Sequence, residues 1–315
     1  MNKTNFKKYI SYVKQTKNTG IEDQYIEKDY FISLFLSTWQ TLKDEGKVSH
    51  LDALLFKGGT LLARNYLEYP RISEDIDFTY ERSNDLRRLG SKNKREKAIL
   101  QCIVPIIDEV KLICDSAEFN FKTNRKNQRY IDVRNSRAVY LLNVYYTSLI
   151  TREEIPIKIE INFLEDVVYD CSDLTINNIV IQDLFLKSIG YNLVNVTLKT
   201  YALDEIILEK YRAILTREAL KERDVFDLYL IHKRKKDVFQ CDNKIIGGKI
   251  ECARLISPDL SKNLEKNCTL LLDGVFGDSE DDIRRLSLVE INENEYDEFK
   301  KQLFTKLKDI CKMRK

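Results

Sequence analysis

The chain has 315 residues, 43% of them hydrophobic, enough for a full catalytic core plus a smaller unit, which excludes a largely disordered protein. Its 52 lysines and arginines nearly cancel 50 aspartates and glutamates, so the net charge of +2 argues neither for nor against a nucleic-acid partner. Seven cysteines without a C-x-x-C pair exclude a zinc pattern or a small disulfide scaffold and fit reduced thiols in a cytoplasm.

The start of the chain has no signal-peptide pattern, and the longest apolar stretches, such as residues 30–39, are too short to span a bilayer. A soluble cytoplasmic protein with no membrane partner is expected. Charge is segregated locally. Arg82, Arg87, Arg88, Lys92, Lys94, Arg95 and Lys97 form one basic stretch; Lys122, Arg125, Lys126, Arg129, Arg134 and Arg137 form another. Residues 232–236 and 300–315 are also basic, while residues 278–298 are acidic. Such runs are either solvated surface or a means of steering a polyanion to one face.

Residues 26–42 read as an amphipathic helix with Ile26, Tyr30, Phe31, Leu34 and Phe35 on one side. The apolar run 51–56 predicts a strand. It ends at Lys57-Gly58-Gly59-Thr60, after which residues 61–66 look helical. Glycines at a strand-to-helix turn let the backbone approach a phosphate, and a helix start offers free N–H groups. The simpler reading is a plain turn with Thr60 as helix N-cap. Neither a Walker loop nor a G-x-G-x-x-G fingerprint is present.

Residues 73–80 alternate with period two, so Asp75, Asp77 and Thr79 share one face and Ile76, Phe78 and Tyr80 the other. Two carboxylates at i and i+2 on a strand can hold Mg²⁺, a cation that takes oxygen ligands, or they can simply face water. Residues 94–114 predict a helix, and 138–148, 156–163, 176–181 and 193–198 predict strands. In the stretch 157–162, Lys158, Glu160 and Asn162 share a face. Beside Asp75 and Asp77 on one sheet, Glu160 would complete a carboxylate trio for two-metal phosphoryl transfer.

From residue 203 the pattern is helical almost to the end. Lys210 falls inside the apolar stripe of Leu203, Ile206, Ile207, Tyr211 and Ile214, where it either snorkels or grips an anion. Asp224 and Asp227, at i and i+3, share a helix face, where one could orient Lys210 and Arg223 could pair with either; the simpler reading is a surface ion-pair cluster. The expected class is α+β, with a first domain over 1–202 and a helical C-terminal domain over 203–315.

Together these segments resemble the AbiEii-type nucleotidyltransferase family, toxins of bacterial type IV toxin–antitoxin and abortive-infection systems. The resemblance rests on Ile26-Glu27-Lys28-Asp29-Tyr30, Phe56-Lys57-Gly58-Gly59-Thr60-Leu61 and Arg71-Ile72-Ser73-Glu74-Asp75-Ile76-Asp77-Phe78. It continues through Glu209-Lys210-Tyr211-Arg212-Ala213 and Arg223-Asp224-Val225-Phe226-Asp227-Leu228. It implies a polymerase-β-like core with a mixed sheet, in which Asp75 and Asp77 bind Mg²⁺ (two ions, with Mn²⁺ as an alternative). Lys210 would contact the triphosphate and Asp224 would be a further catalytic acid. Lys57, Gly58, Gly59, Thr60 and Ser73 would line the nucleotide site, Thr60 standing where the wider superfamily has the serine of Gly-Ser.

The implied reaction moves a nucleotide from a nucleoside triphosphate to an RNA acceptor, the tRNA 3′ end, arresting growth in phage defence. The antitoxin would be a separate DNA-binding protein that need not touch the toxin. The alternatives are transfer to a protein or small-molecule hydroxyl, or a nucleotide-binding module without turnover. Residues 119–137 and 235–315 match nothing in the resemblance.

Overall fold

The computed structural model describes residues 1–135, 137–254, 258–275, 285 and 287–313. Part of the acidic stretch (278–284 and 286) and the last two residues of the basic tail lie outside them. The fold is α+β, built on a mixed seven-stranded sheet.

Helices α1 (Lys3–Lys17) and α2 (Asp23–Asp44) open the chain. Strand β1 (Leu54–Lys57) follows a 3₁₀ turn over His50–Ala53, so the expected strand is shorter than its apolar run. Helix α3 (Gly58–Leu61) continues into a π-helical segment, Leu62–Tyr66. Strand β2 (Asp75–Tyr80), the short α4 (Ser83–Arg87) and the long α5 (Lys92–Ser116) come next.

Strands β3 (Ile131–Arg134), β4 (Val139–Thr147), β5 (Glu154–Asn162) and β6 (Ser172–Ile176) follow, then α6 (Leu184–Ser188) and β7 (Val196–Thr200). Helices α7 (Leu203–Thr216), α8 (Glu222–Arg234), α9 (Asn243–Arg254), α10 (Pro258–Leu272) and α11 (Glu293–Lys312) complete the chain. The sheet order is β3-β4-β5-β2-β1-β7-β6. The centre of the sheet fixes the site, because β2 lies antiparallel to β1 and parallel to β5.

Four expectations are corrected. Helix α2 is not one-sided: Glu27, Asp29, Ser33 and Ser37 are buried along with its apolar residues, since it runs between the sheet and helices α1 and α5. Its buried acids are anchored, Glu27 by the Ser148 hydroxyl at 2.7 Å and Asp29 through Oδ1 by Arg64 at 2.8 Å, while Asp29 Oδ2 has no hydrogen-bond partner. The strand expected at 176–181 lies earlier, and Ile181 is 89% exposed. Thr60 does not cap its helix, which starts two residues sooner at Gly58. Cys268 and Cys311 form a disulfide between α10 and α11, so not all seven cysteines are free thiols; their Cα atoms lie 5.5 Å apart although 43 residues separate them in sequence.

Among the described residues no helix is long and apolar enough to cross a membrane. The strands end at Thr200, just before residue 203 where the helical region starts, yet the buried core runs on without a break from α1 to α11.

Candidate active site

Alternation places Asp75 and Asp77 on one face of β2, and sheet register sets their neighbours. Asp77 pairs with Lys57 of β1 on one side and Glu160 of β5 on the other. One pocket is lined by Asp75, Asp77 and Glu160 together with Gly58, Gly59, Ser73 and Lys210. The three carboxylates inferred from separate stretches of sequence therefore face one space.

The glycine pair is demanded by geometry. Gly58 has φ +77°, and a Cβ there would lie 2.8 Å from Cγ of Asp77. A Cβ on Gly59 would lie 2.7 Å from an Arg71 guanidinium nitrogen and 3.0 Å from Ser73 Oγ. Thr60 has no direct access to the pocket: it is 1% exposed and its hydroxyl donates to the Asp75 carbonyl, pinning α3 to the start of β2.

Electrostatics mark Asp77. Burial, reinforced by Glu160 and Asp75 and only partly offset by Lys57 and Lys210, raises its carboxyl from 3.8 to about 7. A buried carboxylate facing two other acids with too little compensating charge produces this signature, and a divalent cation would relieve it. The donor set is all oxygen, which suits Mg²⁺. Among the described residues no three His, Cys, Asp or Glu side chains, Asp75, Asp77 and Glu160 included, are gathered closely enough to hold a metal ion by themselves. The arrangement is an open one, of the kind in which Mg²⁺ takes one or two carboxylates and completes its shell with substrate oxygens and water.

Lys210 neither snorkels nor stands alone. Its Nζ lies 2.8 Å from Asp224 Oδ1 and 2.6 Å from Asp227 Oδ2. Asp227 also accepts two hydrogen bonds from Arg71, from Nε at 2.7 Å and Nη2 at 2.8 Å, and Asp224 pairs with Arg217. Arg71, Asp227, Lys210, Asp224 and Arg217 thus alternate in charge from the loop before β2 across α8 and α7. Burial works against both aspartates, but Arg71 and Lys210 lower Asp227 to about 2, and Lys210 and Arg217 lower Asp224. Asp224, which also lines the pocket, is thereby placed to hold Lys210.

A second buried network lies behind Lys57, whose Nζ lies 3.3 Å from Glu165 and 3.6 Å from Glu209. Arg212 pairs with Glu209 at 2.8 Å, and Lys249 of α9 pairs with Glu209 at 2.6 Å and with Glu205. Burial opposes the Lys57 ammonium, but Glu209 and Glu165 outweigh it and raise its pKa. Lys57 lines the pocket and is held there by these two glutamates.

Sequence reasoning did not single out Arg71, Glu165, Glu209, Arg212 or Lys249 as site residues. A signal existed for Lys249: it follows Ile246 and precedes Ile250 and Ala253 on the buried stripe of α9, the same anomaly that marks Lys210.

The family described as "Nucleotidyl transferase AbiEii toxin, Type IV TA system" matches residues 40–311. Among solved structures, MenT4, a nucleotidyltransferase toxin from Mycobacterium tuberculosis H37Rv, is similar at 19% identity with a TM-score of 0.54, over 95% of this chain and 89% of that one. JHP933 from Helicobacter pylori is similar at 15% identity with a TM-score of 0.43, over 93% of each chain. No curated protein matches.

Proposed function

The chain belongs to the AbiEii nucleotidyltransferase toxin family of type IV toxin–antitoxin systems, and on that premise we propose that it transfers a nucleotide to the 3′ end of tRNA, with Asp75, Asp77 and Glu160 as its metal-binding centre. The observation that carries this reading is the convergence of those carboxylates, the glycine turn and Lys210 on one pocket.

Mg²⁺ at the carboxylates would neutralise charge on the triphosphate and lower the pKa of the acceptor hydroxyl. The chain's own groups do the rest. The glycine turn lets the backbone come close to the phosphates, and Ser73 lines the same side. Lys210 has three N–H donors, of which two serve Asp224 and Asp227, leaving one for a phosphate oxygen. The acceptor oxygen bonds to the α-phosphorus as the bond to the pyrophosphate oxygen breaks. The hydroxyl proton passes to Glu160, and Lys210 stabilises charge growing on the leaving pyrophosphate. Loss of tRNA acceptor function would arrest growth and so serve phage defence, with a separately encoded antitoxin as the counterweight.

Incubation with each labelled nucleoside triphosphate, Mg²⁺ and total RNA tests this reading. Label on tRNA 3′ ends supports it; label only on protein or on a small-molecule hydroxyl transfers the same chemistry to another acceptor and overturns the tRNA assignment.

A further inference from the structure

Two basic stretches that are remote in sequence meet in the fold. The first ends in the opening turns of α5, and the second leads into β3 and the turn before β4. Arg137 of the second stretch lies 3.2 Å from Glu96 of the first. Between them is a groove lined by Arg87, Arg88, Lys92, Arg95 and Asn135, with Leu164 at its floor.

The charge of this groove is only partly compensated. Glu96 is its one lining acid, and it is shared by Lys92 at 3.9 Å and Arg137. Arg87 is held in place by Asp166 at 2.5 Å and Asn84 at 2.9 Å. Arg88 and Arg95 make no ion pair with any described residue.

The groove and the candidate active site are linked through the end of β5. Leu164 is four residues beyond Glu160 on the continuation of β5, at most about 14 Å of extended chain. Asp166, which anchors Arg87, follows Glu165 of the network behind Lys57. A strand with its terminal hydroxyl at the carboxylates would carry its next phosphates toward this groove. Guanidinium forks match phosphate oxygens, and their spread along a groove fits charges repeated along a backbone.

We propose that the groove between α4–α5 and the β3–β4 turn binds the phosphate backbone of the RNA acceptor, with Arg88 and Arg95 as contacts that set acceptor affinity. This inference rests on the reading of the protein as an RNA nucleotidyltransferase, and its test separates the two. An Arg88→Glu/Arg95→Glu variant is compared with wild type and with Lys301→Glu, a control at an exposed position of α11, all matched for melting temperature. Total tRNA is the probe, with equilibrium binding measured across a salt series and transfer measured across tRNA concentrations.

The expected result is a raised KM for tRNA with kcat and nucleotide KM unchanged, and a salt slope shallower by about 1.5, as for two lost phosphate contacts. The milder Arg88→Gln/Arg95→Gln pair should move both quantities in the same direction, and it replaces the reversal if that variant does not fold. Wild-type tRNA KM and salt slope in the variants would overturn the groove while leaving the acceptor reading standing. No labelling of tRNA by wild type would overturn both. Displacement of tRNA by polyglutamate at matched charge concentration would assign the groove to an acidic protein and overturn the proposal.

Discussion

Arg71 and Asp227 lie 156 residues apart in sequence and are joined by two hydrogen bonds, 2.7 and 2.8 Å, with both side chains almost fully buried. This pair fastens the loop that leads into β2 to helix α8. The carboxylate strand and the helix facing it therefore hold one relative position, and the pocket between them is preformed.

Breaking the pair should be severe. Asp227→Ala would leave the Arg71 guanidinium buried without its partner and remove one of the two anions of Lys210. A loss on the order of 3–5 kcal/mol is expected, read as a lowered midpoint in urea denaturation. A variant as stable as wild type would mean that the clamp does not hold the loop.

Lys210→Ala probes the same network from its centre. Turnover should fall by about 10²–10³, as for loss of one transition-state donor. Stability should fall too, because Asp224 and Asp227 are buried and would lose the cation between them. Melting temperature and nucleotide transfer measured on one preparation decide it, and normal turnover with lowered stability would leave Lys210 a purely structural residue.

Gly58→Ala tests the close approach of the turn to Asp77. A left-handed backbone at alanine costs about 1–2 kcal/mol, and the new methyl would displace the Asp77 carboxylate. Displacement on the order of 1 Å lowers rates by about 10². Gly20→Ala is the control, since nothing lies within 4 Å of a Cβ there. Equal kcat in the two variants would contradict the packing of Gly58 on Asp77.

Asp77 gives a pH signature. Its carboxyl is raised from 3.8 to about 7 by burial, Glu160 and Asp75. A group with a higher pKa when folded contributes fully to stability below its unfolded value and loses that contribution as pH rises to its folded value. In metal-free protein Asp77 therefore weakens the fold progressively from about pH 4 to about pH 7. Asp77→Asn should gain melting temperature over wild type across that window and hold a constant advantage above it. Added Mg²⁺ should shrink the gap at pH 8 by stabilising wild type alone. A pH-independent difference between the two proteins would contradict the electrostatic account.

The site's acidic half was legible because strands print period two on the sequence: Asp75, Asp77 and Glu160 each sit among alternating apolar residues, and β2 and β5 form where that alternation runs. The basic half was mostly hidden, since Arg71 and Lys249 act through partners on other elements, and Arg212 reaches Glu165 beyond β5, which one segment does not reveal. Edge strand β3 was missed because only Ile131 of its four residues is buried and Asp132 and Arg134 give it a polar, basic look. Residues 176–181 misled because Ile179 and Val180 are buried without being in a strand. Nothing in a spacing of 43 residues pointed to the pairing of Cys268 with Cys311.

The central claim is that the carboxylates on β2 are the catalytic centre of a metal-dependent nucleotidyltransferase. The most direct measurement is transfer of labelled nucleotide to total RNA by wild type, Asp75→Ala and Asp77→Ala, matched for melting temperature, with Mg²⁺ and with chelator. Wild type should label RNA only with the metal, and both variants should fall to background. Full labelling by either variant, or undiminished labelling by wild type in chelator, would contradict the account.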